Sequence, residues 1–323
     1  MPQTRLEKKQ LHKKNKKRNR FLRILGVLAL IAVATIGILV WKVYSDVVST
    51  SDNIYSEVTD KEERRTKPVD VDGGEDPFSV LLMGIDTGFA GRTDQGRSDT
   101  IMLMTVNPKK NETKLLSIPR DTYTEIIGRG TMDKINHAYA FGGASMSINT
   151  VQNLFDVPID YYVSVNMQGL KDIIDSLGGV EVTPPISFTQ DDYTFTEGVT
   201  TKVDGDAALA YSRNRKSDPS GDYGRQERQR QLIEASLKKV ASLSSVVRYQ
   251  GVLESLEKNM TTNLSFDDLL DLFNKYRSAA DTVDQLQLEG YGEYIDGIYY
   301  EIIPEEEVAR VSDILQEELE VNE

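Results

Sequence analysis

From Ile24 to Trp41 the chain reads "ILGVLALIAVATIGILVW", eighteen residues without a charge. As a helix, such a run crosses about 30 Å of hydrocarbon. Residues 1–23 before it hold ten Lys/Arg against the single acid Glu7, roughly +9. This asymmetry predicts a basic cytoplasmic tail (1–23), a transmembrane helix (24–41) and everything after Trp41 outside the membrane. Trp41 and Tyr44 suit the interfacial belt. The long apolar core and the lack of a small-x-small cleavage site make the segment an anchor rather than a removed signal peptide.

The whole chain carries −13, so the part beyond the tail carries roughly −22. So acidic an outer part is a poor nucleic-acid binder, and any anionic ligand needs a local basic pocket. Cysteine is absent, which excludes disulfides, thiolate zinc sites and cysteine nucleophiles. His12 and His137 are the two histidines, too few for a His-rich metal site.

Residues 42–77 end in "TKPVDVDGGEDP" and read as a stalk or linker. Order is expected from Phe78. "FSVLLMGID" has the continuous apolar pattern of a doubly buried strand, and two further strands flank the turn "NPKKNE", antiparallel because the connection is short. Helical spacing follows at Ser145–Phe155 and Gly169–Leu177, with the strands "DYYVSVN" and "VEVTPP" between and after. Strands interleaved with helices predict an α/β fold, an α/β/α sandwich around a central mixed sheet, over residues 78–240. Residues 187–202 read as a surface loop. Residues 241–323 read as a helical or mixed extension packed on that domain, with "SFDD" starting a helix and "VDQLQLEG" and "GIYYEIIP" as candidate strands.

Topology alone groups three residues. The first strand ends at Asp86, the second begins at Asp99, and the third, antiparallel to the second, leads to Arg120. All three belong to one sheet edge, with the glycine-bearing loop Thr87–Ser98 between them. Two carboxylates beside arginines suit Mg²⁺, which takes one or two carboxylates plus phosphate oxygens and water; strand-end turn residues or simple Arg partners satisfy the same spacing. The stretch Leu209–Ile233 carries Arg213, Arg215, Arg225, Arg228 and Arg230 plus Lys216. In an extended segment Arg213 and Arg215 point the same way. On the helix starting near Gly224, Arg225 and Gln229 fall on the apolar stripe of Leu232, Ile233, Leu237 and Val240, while Arg230 lies on the flank facing solvent. Polar groups on a core-facing stripe at a helix N-terminus suit a buried anion. A solvated basic face paired with Glu227 and Glu234 is the competing reading. In "DKINHAYAFGG", Lys134 has the reach for a phosphate, and His137 is read as a structural histidine.

Taken together, "LLMGIDTG…GRSDTIMLMTVNPKKNETKLLSIPRDTY", "KINHAYAFGG", "DYYVSVNMQGL…DSLGGVEV" and "ALAYSRNRKSDPSGDYGRQERQRQLI" resemble the LytR-CpsA-Psr family over about Phe78–Lys238. The resemblance implies a membrane-anchored transferase. It would move a phosphorylated glycopolymer, of teichoic acid or capsule type, from a polyprenyl pyrophosphate carrier to peptidoglycan. It implies Asp86 and Asp99 as ligands of Mg²⁺ (or Mn²⁺), and Arg97, Arg120, Arg213, Arg215 and Arg225 as pyrophosphate ligands supported by Asp222 and Gln229. Asp99 or Asp121 would take the hydroxyl proton. Many members read "GIDTR" where this chain has Gly88, so Arg92 substitutes or that contact is missing. A non-catalytic receptor, a transcriptional regulator and a pyrophosphatase are the competing functions. The acidic outer part opposes the regulator, and the carboxylate pair opposes the receptor.

Overall fold

A computed structural model describes residues 53–87, 95–242 and 259–321. The expected tail and membrane helix lie outside the described residues, as do Gly88 and Arg92. Among the described residues no helix is long and apolar enough to cross a membrane.

The apolar run at Phe78 forms β1 (Phe78–Ile85). It pairs antiparallel with β2 (Ser98–Asn107), and β2 with β3 (Glu112–Ser117) across the "NPKKNE" turn. On its other side β1 pairs parallel with β6 (Tyr161–Asn166). Two strands from the far end of the chain complete the sheet. β11 (Met260–Thr262) lies antiparallel to β6, and β12 (Thr282–Gln287) lies parallel to β3. The order is β11-β6-β1-β2-β3-β12, a mixed sheet in an α/β fold.

Alternation along β1 separates two cores. Leu81, Met83 and Ile85 pack with Ile148, Val151 and Phe155 of α1 (His137–Phe155) and with Val311 and Leu315 of α6 (Glu305–Glu318). Phe78 and Val80 face the opposite way, onto Tyr276 and Ala279, which follow α5 (Phe266–Lys275). Helices therefore cover both faces of the sheet. A further core joins α2 (Met167–Ser176), α3 (Gly205–Arg213) and α4 (Asp222–Ala241) through Ile174, Ala208, Tyr211 and Leu232.

Five expectations need correction. Residues 53–77 are no free stalk: Ile54 is 0% exposed, Val71 is buried, and Arg65 holds Asp160 at 2.7 Å. Arg64 also holds Asp156 at 2.6 Å, and Asn149 and Gln152 donate to the carbonyls of Asp60 and Glu62, so ion pairs and hydrogen bonds dock an otherwise polar segment. The division at residue 240 does not separate two bodies, because both outer strands of the sheet come from beyond it. Residues 187–202 contain the hairpin β8 (Phe188–Gln190) and β9 (Tyr193–Phe195), whose Phe188 and Phe195 pack on Tyr211. "VEVTPP" supplies β7 (Val180–Val182), which pairs with β10 (Thr201–Val203) and not with the central sheet. The helix expected from Ser145 begins instead at His137 and kinks at Gly142 and Gly143.

Beside the main sheet stand β4 (Tyr123–Ile126) with β5 (Thr131–Lys134), and β13 (Tyr291–Ile295) with β14 (Ile298–Ile302). The second pair is tied to the first where Glu301 N–H donates to the Asp121 carbonyl at 2.9 Å.

Candidate active site

Asp86, Asp99 and Arg120 meet at one sheet edge, as the strand directions require. Asp86 follows the last residue of β1, and Asp99 is the second residue of β2, at the irregularity where Gly84 pairs with Thr100 and Ile85 with Ser98. Asp86 and Arg97 close the loop between the two strands. The Asp86 N–H donates to the Arg97 carbonyl at 3.1 Å, and its Oδ1 accepts from the Arg97 N–H at 2.6 Å. The Arg97 side chain is exposed.

A chain of alternating charges leads away from Asp99. Arg120 holds Asp99 at 3.0 Å and stands 3.6 Å from Asp121, which Lys134 holds at 2.7 Å. Burial alone lowers the Arg120 pKa, but Asp99, Asp121 and Asp222 outweigh it and raise the net value. From α4, Arg225 pairs with Asp222 at 2.9 Å and donates to the Asp99 carbonyl at 3.3 Å. Burial lowers the Arg225 pKa, with Arg120 pushing the same way. Asp222, whose burial would raise it, is held down by Arg225, Gln226 and Arg120.

Under this cluster a cavity of about 450 Å³ opens between the sheet and α2–α4. Its apolar wall includes Leu82, Met102, Val165, Leu170, Ile173 and Ile233, and its polar lining includes Asp86, Asp99, Asn166, Ser212, Arg213, Arg225 and Gln229. One compartment therefore offers an apolar slot together with an arginine-carboxylate cluster. Nε of Arg225 is buried with no hydrogen-bond partner. A buried guanidinium donor without an acceptor is costly, and it belongs to an arginine that lines the cavity.

The arginines of Leu209–Ile233 divide differently from expectation. Arg213 is the last residue of α3, and Arg215 follows the extended, buried Asn214, so the two do not alternate along one strand. Arg215 is exposed and lies 4.0 Å from Asp222. Arg230 does not face solvent. It is 4% exposed and donates to Ser117 Oγ at 2.9 Å and Gln285 Oε1 at 3.1 Å. Helix α4 is buried on more than one side, so a single-stripe reading misassigns its flank. Sequence reasoning also assigned no role to Arg228, which is 0% exposed and bonds Asp218 and the carbonyls of Asn214 and Tyr211. It braces the loop that carries Arg215 toward α4. The one available signal was an apolar-flanked helix crowded with arginine, which cannot say which arginine is internal.

His137, at the start of α1, has a partner in Asp133 of β5, Nδ1 to Oδ2 at 2.8 Å. Lys134 is committed to Asp121 and reaches the cluster only through it.

Two carboxylates lining one cavity are hard oxygen donors of the kind Mg²⁺ takes. Among the described residues no group of three ligand-type side chains could hold a metal alone. With two protein carboxylates, a cation there would take its remaining oxygens from substrate phosphate and water.

The sequence profile of the LytR_cpsA_psr family matches residues 42–317. A protein of Enterococcus faecalis named polyisoprenyl-teichoic acid–peptidoglycan teichoic acid transferase TagU is 47% identical over 300 residues, 93% of this chain and 97% of that one. The crystal structure of TagU from Bacillus subtilis is similar with a TM-score of 0.62 and 45% identity, covering 76% of this chain and 97% of that chain. A structure of TagT bound to LIIa-WTA is similar with a TM-score of 0.68 and 35% identity, covering 81% and 97%.

Proposed function

This chain belongs to the LytR_cpsA_psr family, and from that premise we propose that it is a transferase moving a phosphorylated teichoic acid-type polymer from a polyprenyl pyrophosphate carrier to peptidoglycan. The observation that carries the reading is the juxtaposition in one cavity of an apolar slot and the Asp99–Arg120–Arg225 cluster. A polyprenyl chain fits the first and a pyrophosphate the second. The names of its relatives specify the rest.

Arg225 and Arg213 line the cavity, and Arg120 stands behind Asp99. Together they bind the pyrophosphate, the planar guanidinium fork matching two phosphate oxygens at once. Arg97 and Arg215, both exposed at the cluster's rim, add charge toward the polymer side. Asp222 and Gln229 orient the guanidiniums, Asp222 through Arg225 and Gln229 from the cavity wall. Asp86 and Asp99 would hold Mg²⁺, which when bound neutralises charge developing on the phosphoryl oxygens. The acceptor hydroxyl attacks the polymer-bearing phosphorus, the bond to the bridging oxygen breaks, and polyprenyl phosphate leaves. The hydroxyl proton passes to a carboxylate at the cluster, Asp99 or Asp121. Positioning and charge neutralisation supply most of the rate, as in other phosphoryl transfers.

The basic tail and the apolar run Ile24–Trp41 support a single-pass anchor with the α/β/α domain outside the cell. The test is to incubate the purified chain with a lipid-linked glycopolymer, Mg²⁺ and peptidoglycan oligomers and to identify products by mass spectrometry. Polymer joined to peptidoglycan through phosphate, lost on chelation, is the expected product. Free polymer phosphate would identify a pyrophosphatase, and unchanged substrate a receptor.

A further inference from the structure

The hairpin β13–β14 is unusual in what it leaves in solvent. Tyr294 is 73% exposed and Tyr299 is 38% exposed. They are direct cross-strand partners with ring centroids 5.6 Å apart. A directly opposed pair shares one face of a hairpin. Tyr300 points to the other face and is buried on Tyr123. The face carrying Tyr294 and Tyr299 also carries Glu301, opposite Gly292. Gly292 leaves room for the Tyr299 ring: a Cβ there would stand 2.6 Å from it.

This face leads into the arginine cluster. Tyr299 OH donates to one oxygen of Glu301 and Tyr223 OH to the other, each at 2.7 Å. Tyr223 is the second residue of α4, beside Asp222. Glu301 also bonds the Asp121 carbonyl through its own N–H. Burial and Glu301 push the Tyr299 hydroxyl up to about 12, so it remains a donor at neutral pH. The exposed tyrosine pair, its rings edge to face at 73°, is therefore linked by hydrogen bonds through Glu301 and Tyr223 to the residues proposed to bind pyrophosphate.

We infer that the Tyr294–Tyr299 face of the β13–β14 hairpin is the docking surface for the acceptor glycan strand, whose pyranose rings lie on the tyrosines while its hydroxyl reaches the arginine cluster. The inference rests on the transferase reading for the identity of the acceptor. Three observations select a sugar polymer. The rings are exposed, Tyr299 anchored by its hydroxyl and Tyr294 packed against its edge or face, so that aromatic faces are open to flat apolar sugar faces. The pair is linked to the site through Glu301 and Tyr223 yet lies outside the lining of the lipid cavity, where an acceptor strand has to approach. The segment from Leu288 to Pro304 contains Glu289, Glu293, Asp296 and Glu301 and no Lys or Arg. Such a segment is repelled by an anionic lipid surface but can accept hydrogen bonds from sugar hydroxyls.

The experiment uses the full chain in detergent, measuring half-saturation for peptidoglycan glycan oligomers in transfer, direct binding of the same oligomers without donor, and affinity for a short-chain polyprenyl pyrophosphate. Tyr294→Ala should weaken oligomer binding and raise acceptor half-saturation by roughly three- to tenfold, leaving pyrophosphate affinity unchanged. Tyr294→Trp should restore both. Gly292→Ala, which displaces the Tyr299 ring, should mimic the loss. Unchanged oligomer binding in Tyr294→Ala would overturn the inference, as would an equal loss of pyrophosphate affinity. If the wild type transfers nothing but binds oligomers through Tyr294, the transferase reading fails and this surface stands. If it binds no oligomers, this inference fails whatever the transfer assay shows.

Discussion

Arginine occurs five times between Leu209 and Ile233, and the structure gives those residues at least three kinds of work. Arg225 lines the cavity with its Nε unpartnered, whereas Arg230 is satisfied by protein acceptors and Arg228 is wholly internal. Arg225→Lys should therefore lower affinity for a polyprenyl pyrophosphate by about tenfold, since it keeps charge but loses the fork. Arg230→Lys should spare affinity and cost about 2 kcal/mol of stability, because lysine cannot satisfy Ser117 and Gln285 together. Calorimetric affinity and denaturant unfolding of both variants check the pair; equal loss of affinity would put Arg230 in the site. Asp222 gives a pH prediction. Its folded-state pKa is depressed, so its stabilisation is full above the unfolded value near 4 and is lost as pH falls through the lower folded value. In melting temperature against pH, Asp222→Asn should therefore lose stability at neutral pH and converge on the wild type below about pH 4. A constant offset across that range would remove Asp222 from the ionised network.

At the scale of elements, the loop from Asn214 to Gly221 and the start of α4 form one unit. Asp218 bonds Arg228, and Gly224 lies against the same carboxylate, so closely that a Cβ would collide with it. Gly224→Ala should displace Asp218, leave Arg228 with an uncompensated buried charge, and cost about 3 kcal/mol. Transfer activity should fall with it, because Arg225 follows Gly224 directly. A variant with wild-type unfolding midpoint would show that the loop adapts freely. Helix α4 also explains why periodicity read the cavity stripe correctly and the flank wrongly. Arg225, Gln229, Leu232 and Ile233 all line the cavity, as their common stripe implies. The neighbouring stripe meets β3 and β12, contacts separated from α4 by 113 and 55 residues, and no local pattern announces them.

For the whole molecule, the sheet order decides what can be removed. β11 and β12 flank the sheet, and Val311, Leu315 and Leu319 belong to the core beneath β1. A chain ending at Ser242 should lose cooperative unfolding and aggregate, since it exposes both sheet edges and that apolar surface. A soluble truncated chain with a sharp thermal transition would contradict this. The sequence by itself determined the anchor-like run, the strands of β1–β3, and the meeting of Asp86, Asp99 and Arg120, because strand direction and short turns are local properties. Only the tertiary structure decided the rest. It placed the C-terminal strands at the sheet's edges, sorted the internal Arg228 and Arg230 from the cavity-lining Arg213 and Arg225, docked residues 53–77, and set the tyrosine hairpin beside Asp121. Each of those depends on contacts between residues far apart in the chain, where burial and hydrogen-bond satisfaction, not local pattern, select the partner.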